Sequence, residues 1–292
     1  MAVANLQNPL FDVERAVNVA SVKHLSPFRY PGGKTWFVPY LKHWLSGVRR
    51  PRHFLEPFAG GGSVSCAVLS ENLADRVTMV ELDARVAEVW SVIFSTRAEE
   101  LAERVLAFDL TLENVQAVLA APCGTAVGGA FQTILRNRVN RGGILAPGAG
   151  LMKAGENGRG LKSRWYPETL ARRVRTLAAL RDRVSVVCGD GIGFLEQHGG
   201  ETGTAAFIDP PYTAGGKKAG SRLYAHHQLE HEHLFGVAAQ LSGPFVMTYD
   251  NAPEIERLAG EHGLETRAVK MKNTHHALMT ELLVGHDLGW TG

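Results

Sequence analysis

No apolar run in this chain approaches the roughly 20 residues that a membrane-spanning helix needs, and a spanning protein is not expected. The first residues, Met1 to Phe11, lack a basic region followed by an apolar stretch, so no secretory leader is read there. Cysteine is scarce: Cys66, Cys123 and Cys188 are odd in number and have no metal-type spacing, which argues against a disulfide framework or a cysteine-held metal. They read as small buried residues in a reducing cytoplasm, and a soluble cytoplasmic protein is expected. Net charge is also nearly absent, at +2 from 31 Lys and Arg against 29 Asp and Glu, so overall charge names no nucleic-acid partner. Internal repeats and low-complexity tracts are lacking, which excludes solenoids and long disordered linkers.

What the chain does have is glycine, 32 residues in 292, and an uneven distribution of its charge. Between Gly129 and Arg183 stand twelve Lys and Arg against the acids Glu156, Glu168 and Asp182, a local excess of about nine positive charges that could neutralise phosphates. Apolar runs of strand length fall at His53–Glu56, Val77–Glu81, Val184–Cys188, Ala205–Ile208 and Phe245–Thr248. Helical spacing occurs at Ser63–Leu73, Ala84–Phe94, Leu112–Leu119, Pro167–Arg181, Glu230–Leu241 and Pro253–His262. This alternation predicts a doubly wound α/β fold with a mostly parallel sheet of about seven strands. The last two strands, Glu265–Met271 and Leu278–Val284, lack room for an intervening helix and should form an antiparallel hairpin at one edge. The pattern breaks between Arg141 and Gly160, a Gly-rich stretch that reads as a hairpin or loop. The domain boundaries follow: residues 21–95 and 184–292 form a catalytic domain, and residues 96–183 an inserted module.

Three runs carry chemistry. Phe54-Leu-Glu-Pro-Phe-Ala-Gly-Gly-Gly-Ser63 is a strand entering a glycine-rich turn that opens a helix, suited either to tight packing or to close approach of a ligand. About twenty residues on, a second strand ends in Glu81 and Asp83. The first could accept a ribose hydroxyl, while the second suits the start of a helix. The third run, Ala206-Phe-Ile-Asp-Pro-Pro-Tyr212, ends an apolar strand in two prolines that stop it and stiffen the turn. The exocyclic amine of adenine is a poor nucleophile because its lone pair is delocalised into the ring. If Asp209 and the carbonyl of Pro210 each accepted one N–H, the nitrogen would be drawn toward tetrahedral geometry, with Tyr212 stacking on the base.

Together with Phe28-Arg-Tyr-Pro-Gly-Gly-Lys34, these runs and their order resemble the Dam-like, D12-class adenine-specific DNA methyltransferases over roughly Ser26 to Val284. The resemblance implies a Rossmann-like methyltransferase sheet, S-adenosylmethionine as cofactor, and transfer of its methyl group to adenine N6 after base flipping. Double-stranded DNA is the implied partner, with a cognate restriction endonuclease where the enzyme serves restriction-modification. Catalysis would fall to Asp209, Pro210, Pro211 and Tyr212, and residues 96–183 would become the target-recognition module. By the same resemblance the cofactor would contact Tyr30, Gly32, Gly33, Lys34, Glu56, Phe58, Gly60, Gly62, Ser63, Glu81 and Asp209. Asp190 stands at another strand end, as a contact to the cofactor's adenine or as a helix cap. Asn137-Arg-Val-Asn-Arg-Gly-Gly143 is similar to the family's recognition hairpin, which points to Asn137, Arg138 and Arg141 as DNA contacts. The Phe-Asn-Val-Pro run of the Dam branch is absent, so the target sequence is not implied.

Lys217, Lys218 and Arg222 follow in a Gly-rich loop, either holding phosphates or solvated. His227 and His231 have the i,i+4 spacing of a metal pair, yet the chemistry needs no metal. A structural or DNA-facing role suits them and His233 better, so no metal is expected. Methylation of adenine in RNA or of cytosine N4 would use a similar amine pocket, and a DNA-binding regulator without activity would keep the fold.

Overall fold

The computed structural model describes residues 17, 19–29, 32–146, 148–153, 155, 158–211, 230–272 and 278–291. Seven strands form one sheet in the order β3-β2-β1-β4-β5-β7-β6, with β1 His53–Glu56, β2 Arg76–Glu81, β3 Val184–Cys188, β4 Thr204–Ile208, β5 Phe245–Asp250, β6 Glu265–Lys272 and β7 Leu278–Gly285. The first five are mutually parallel, while β7 runs antiparallel between β5 and β6. The C-terminal hairpin therefore forms as expected, with β6 as the sheet edge.

Apolar residues alternate between the two faces of the inner strands, each face covered by helices. Phe54, Val77, Met79, Ala205, Phe207, Val246 and Leu283 point into one core, whereas Leu55, Ala206, Ile208, Met247, Tyr249, Leu282 and Val284 point into the other. Helices α1 Val38–Ser46, α2 Ser63–Ser70 and α3 Ala84–Ile93 cover the first face; α8 Gly191–His198, α9 His231–Ala239 and α10 Pro253–Glu261 cover the second. No described helix is long and apolar enough to cross a membrane. Of the cysteines, Cys66 in α2 is buried, but Cys123 and Cys188 are exposed, contrary to expectation. Cys188 ends β3, a strand at the sheet margin, and Cys123 sits in a turn between helices, where its thiol meets Gln132.

The inserted residues are more helical than expected: α4 Ala98–Ala107, α5 Leu112–Ala120, α6 Ala126–Val139 and α7 Pro167–Ala178 precede β3. Between α6 and α7 the chain doubles back, Asn140 bridging Leu151 and Met152 N–H donating to Val139. Among the described residues this insert has no core separate from that of the sheet. Its Leu101, Val105, Phe131, Ile134 and Val174 join the cluster that holds Trp90, Phe54 and Met79. Phe131 meets Phe108 and Trp165 edge-on, with centroids 5.2 and 6.4 Å away. A shared core predicts shared unfolding. Phe131→Ala should cost about 3–5 kcal/mol and lower one cooperative thermal transition, followed by calorimetry. Two separate transitions, with only the earlier one shifted, would show that the insert folds as its own domain.

Candidate active site

The strand order reverses between β1 and β4, and in such sheets ligands bind at the carboxyl ends of the strands beside the reversal. Every parallel strand delivers an acid at or just beyond that edge: Glu56 ends β1, Glu81 ends β2, Asp190 follows β3, Asp209 follows β4 and Asp250 ends β5. On β7, Glu281 pairs with Asp250 and so reaches the same level from a strand running the other way.

Lys34 enters this edge because of packing behind it. It opens a short turn, Lys34–Phe37, and Phe37 stacks on Phe207 of β4 with ring centroids 4.7 Å apart. Asp209 lies two residues beyond Phe207, on the same face by the strand's period of two. The Lys34 ammonium consequently sits 2.9 Å from Asp209 Oδ1 and 3.6 Å from Glu281 Oε2, and donates to the Gly32 carbonyl at 3.1 Å. Lys34 is only 4% exposed and Asp209 20%. Thr248 of β5, fully buried, donates its hydroxyl to Asp209 Oδ1 at 2.7 Å. Two donors on one oxygen fix the plane of the carboxylate. Lys34, expected as a cofactor contact, is thus seated against Asp209.

At the β1–β2 side, carboxylates bind backbone. Glu56 accepts from Ser65 N–H in the first turn of α2 at 2.9 Å. Glu81 accepts from Gly60 N–H at 2.7 Å and Asp83 N–H at 2.8 Å, and Trp90 Nε1 donates to the Gly60 carbonyl at 2.9 Å. Gly60 and Gly62 have φ of +46° and +59°, and a Cβ on Gly62 would lie 2.6 Å from Met79 and Trp90 side-chain atoms. Packing and left-handed backbone both demand glycine there. Ser63 opens α2, and Phe58 lies half-buried against the second core. Burial, countered by the bonds to Ser65, pushes Glu56 up to about 8. Burial likewise raises Glu81 to about 7 and Glu281 to about 7, the Lys34 charge opposing the latter.

Other expected residues take structural posts. Asp83 caps α3 through Arg85 N–H, and Asp190 caps α8, accepting from Gly193 N–H at 2.9 Å. His231 is hydrogen bonded to the Tyr249 hydroxyl at 3.0 Å, and His233 to Glu196 at 2.7 Å. Pro210 and Pro211 follow β4 as expected, whereas Tyr30, Tyr212, Lys217, Lys218, Arg222 and His227 lie outside the described residues.

Two residues of the expected recognition hairpin are buried. Asn137 is fully buried at the end of α6, accepting from Arg29 N–H at 2.8 Å and donating to the carbonyls of Arg29 and Gly143 at 3.1 and 2.7 Å. Arg138 is 4% exposed, its guanidinium on the Pro27 carbonyl, and burial beside Arg173, Arg29 and Arg164 lowers it to about 9. These side chains hold residues 27–29 from within the fold. Arg141 is exposed. Thr248 and Glu281 were not singled out from the sequence. The available signal was the single acid at Glu281, between Thr280 and the apolar run Leu282–Val284.

A seven-stranded α/β sheet that reverses its order between β1 and β4, and a family match over the chain's first part, support the S-adenosylmethionine-dependent methyltransferase class. Within that class, residues 30–116 match the family model of the D12 class N6 adenine-specific DNA methyltransferases, from the Lys34 segment through most of α5. The motif resemblance is thereby supported over this stretch, which ends before the Asp209 strand. Curated proteins yield no match. Among solved structures, the SAM dependent methyltransferase of Agrobacterium tumefaciens aligns at 12% identity and a TM-score of 0.40, covering 85% of this chain and 59% of that one. This chain thus spans about three fifths of that protein's length. The rRNA methyltransferase aviRa of Streptomyces viridochromogenes aligns at 13% identity and a TM-score of 0.38, covering 94% and 89%.

The raised carboxylates make stability depend on pH with a definite sign. Glu56 holds its proton in the folded chain from its usual 4.5 up to about 8, while the unfolded chain gives it up. Its contribution is therefore fully present below 4.5 and lost as pH rises through about 8. Glu56→Gln, whose amide oxygen still accepts from Ser65, removes that loss. Its Tm relative to wild type should climb between pH 5 and pH 9 (roughly the window these values set), and a pH-independent difference would contradict the burial assigned to Glu56.

Proposed function

We propose that this chain transfers a methyl group from S-adenosylmethionine to the N6 amine of adenine in double-stranded DNA, at a specific sequence. The observation that carries the reading is Asp209 with Pro210 at the end of β4, beside the strand-order reversal, its carboxylate fixed by Thr248 and Lys34. Asp209 accepts one N–H of the target amine and the Pro210 carbonyl the other, pulling the nitrogen lone pair out of conjugation and aiming it. Tyr212 supplies the stacking face. Such a site works by placement more than by acid–base strength.

The edge from β1 to β3 suits the cofactor. When bound, S-adenosylmethionine supplies an electrophilic methyl on a positive sulfonium, and an edge lined by Glu56, Glu81, Asp190 and Asp209 complements a cation. Glu81 would hold the ribose hydroxyls, since a carboxylate with two backbone donors keeps acceptor capacity. The Gly60–Gly62 turn would let backbone approach the cofactor, Phe58 would flank it, and Asp190 would meet its adenine.

Double-stranded DNA is favoured by the family to which residues 30–116 match and by the cations of the insert. The acidic edge repels phosphate, so attraction must come from elsewhere. Arg141, Lys153, Arg159 and Lys162 are exposed along the chain between α6 and α7, and Lys217 and Lys218 follow Tyr212 in the sequence. The target base leaves the stack at a cost of a few kcal/mol, offset in the pocket.

Transfer of labelled methyl from S-adenosylmethionine to duplex DNA, single-stranded DNA and RNA tests the reading. Label on adenine N6 of duplex DNA is expected. Label on RNA or on cytosine N4 would reassign the substrate, and no transfer to any of them would leave a binding protein. Asp209→Ala should lower kcat at least about 10²-fold without loss of fold. Arg141→Ala should cost roughly 1–3 kcal/mol at one position of the target and relax its sequence there, read by methylation of a random-sequence library. Unchanged site preference would take Arg141 out of base recognition.

A further inference from the structure

Glu281 is a buried acid on β7, followed by Leu282, Leu283 and Val284, all in the cores. It is 7% exposed, and its Oε2 has no hydrogen-bond partner among the described residues. Such a group costs stability where it stands, and an apolar residue would serve the strand better. The compensating feature is Lys34, whose ammonium lies between two carboxylates: 2.9 Å from Asp209 Oδ1 and 3.6 Å from Glu281 Oε2. One contact is a close ion pair and the other is slightly beyond hydrogen-bond length. In strand order Glu281 stands on the β4–β5–β7 side of the reversal, away from Gly60 and Glu81 and on the flank where the target amine would meet Asp209.

We infer that Glu281 is a positioning residue of the transfer reaction: by sharing the Lys34 ammonium with Asp209, it keeps the Asp209 carboxylate in place and strong as an acceptor for the target amine. This rests on the methyl-transfer reading of the Asp209 site. A lysine answering to one carboxylate alone closes on it and neutralises it more fully, and Asp209 then accepts an amine N–H less strongly. Asp209 and Thr248 alone do not set this balance, because the ammonium is buried and can relax only toward the charges around it. The groups facing Glu281 are Lys34 from the turn before α1, Asp209 beyond β4 and Asp250 on β5. Burial raises Glu281 to about 7, Asp209 and Asp250 adding to the rise and Lys34 opposing it. As pH falls through about 7 Glu281 becomes neutral, its hold on Lys34 lapses, and kcat should fall with it.

The test is Glu281→Gln, which keeps shape and removes charge. Its kcat at pH 8 should fall by about 10²-fold, its affinity for S-adenosylmethionine by calorimetry should stay at the wild-type value, and the limb of its kcat–pH profile below about 7 should flatten. Wild-type kcat with an unmoved acid limb, in a preparation where Asp209→Ala is inactive, would overturn the inference while leaving the methyl-transfer reading intact. Should the wild-type protein methylate nothing, that reading fails by itself, and carboxyl-carbon NMR decides the charge sharing. The Glu281 midpoint should move up in Lys34→Met and down in Asp209→Asn. A midpoint that moves in neither variant would overturn the sharing of Lys34.

Discussion

The Lys34 ammonium is the point on which the site turns, because it is a buried charge that must be answered. Taking an ammonium and a carboxylate out of water costs several kcal/mol for each ion, and only good geometry repays it. Here that geometry depends on apolar packing behind the charges. The Phe37–Phe207 stack and the neighbouring Trp36 and Tyr40 rings fix the turn that carries Lys34. Loss of those contacts would leave the acids at the carboxyl edge facing one another without a cation among them. The rigidity of the hydrophobic core and the polarity of the site are therefore one arrangement.

The insert meets that arrangement from the other side. Arg173 donates to the carbonyl of Ser26, Arg138 to that of Pro27, and Asn137 brackets the backbone of Arg29. All three come from α6 or α7 and hold the segment that runs into Lys34. Buried guanidiniums on backbone carbonyls are poor candidates for reading bases, since leaving them unpaired would cost more than a base contact returns. They are well placed to make the seat of Lys34 depend on the insert. Through them α6 and α7, which flank the exposed cations, are tied to the segment that precedes Lys34 in the chain.

Much of this was legible in the sequence for a physical reason. Strands buried on both faces leave near-continuous apolar runs, so β1 to β5 were placed to within a residue or two, and the C-terminal hairpin followed from the lack of space between β6 and β7. Four helices escaped notice. In α6, Gly128 and Gly129 interrupt the pattern, but a Cβ on Gly129 would lie 1.9 Å from the Glu88 carboxylate, so the glycine makes room for that side chain of α3 and does not end the helix. α8 begins on a glycine and is short; α1 and α4 are short amphipathic segments beside more conspicuous motifs. At the site, residues in ordered motifs were found, whereas Glu281 and Thr248 were not. Each owes its place to strand pairing, and pairing across β4, β5 and β7 joins positions 209, 248 and 281 with no trace in local spacing.

The charge pattern then explains why one chain needs both halves. An edge that carries Glu56, Glu81, Asp209 and Glu281 would suit the cationic donor of the proposed reaction and repel a polyanion, so the proposed nucleic acid would not approach it unaided. Three of these acids have raised affinity for protons, which tempers the repulsion near neutral pH. The exposed cations between α6 and α7 supply the opposite field, within an insert that shares its core with the sheet. Because that core is common, the cationic surface is held at a fixed distance from the acidic edge. In the proposed reaction, a base extruded from a backbone gripped by one would be presented to the other at a distance set by packing, so that the fold would supply much of the alignment the transfer needs.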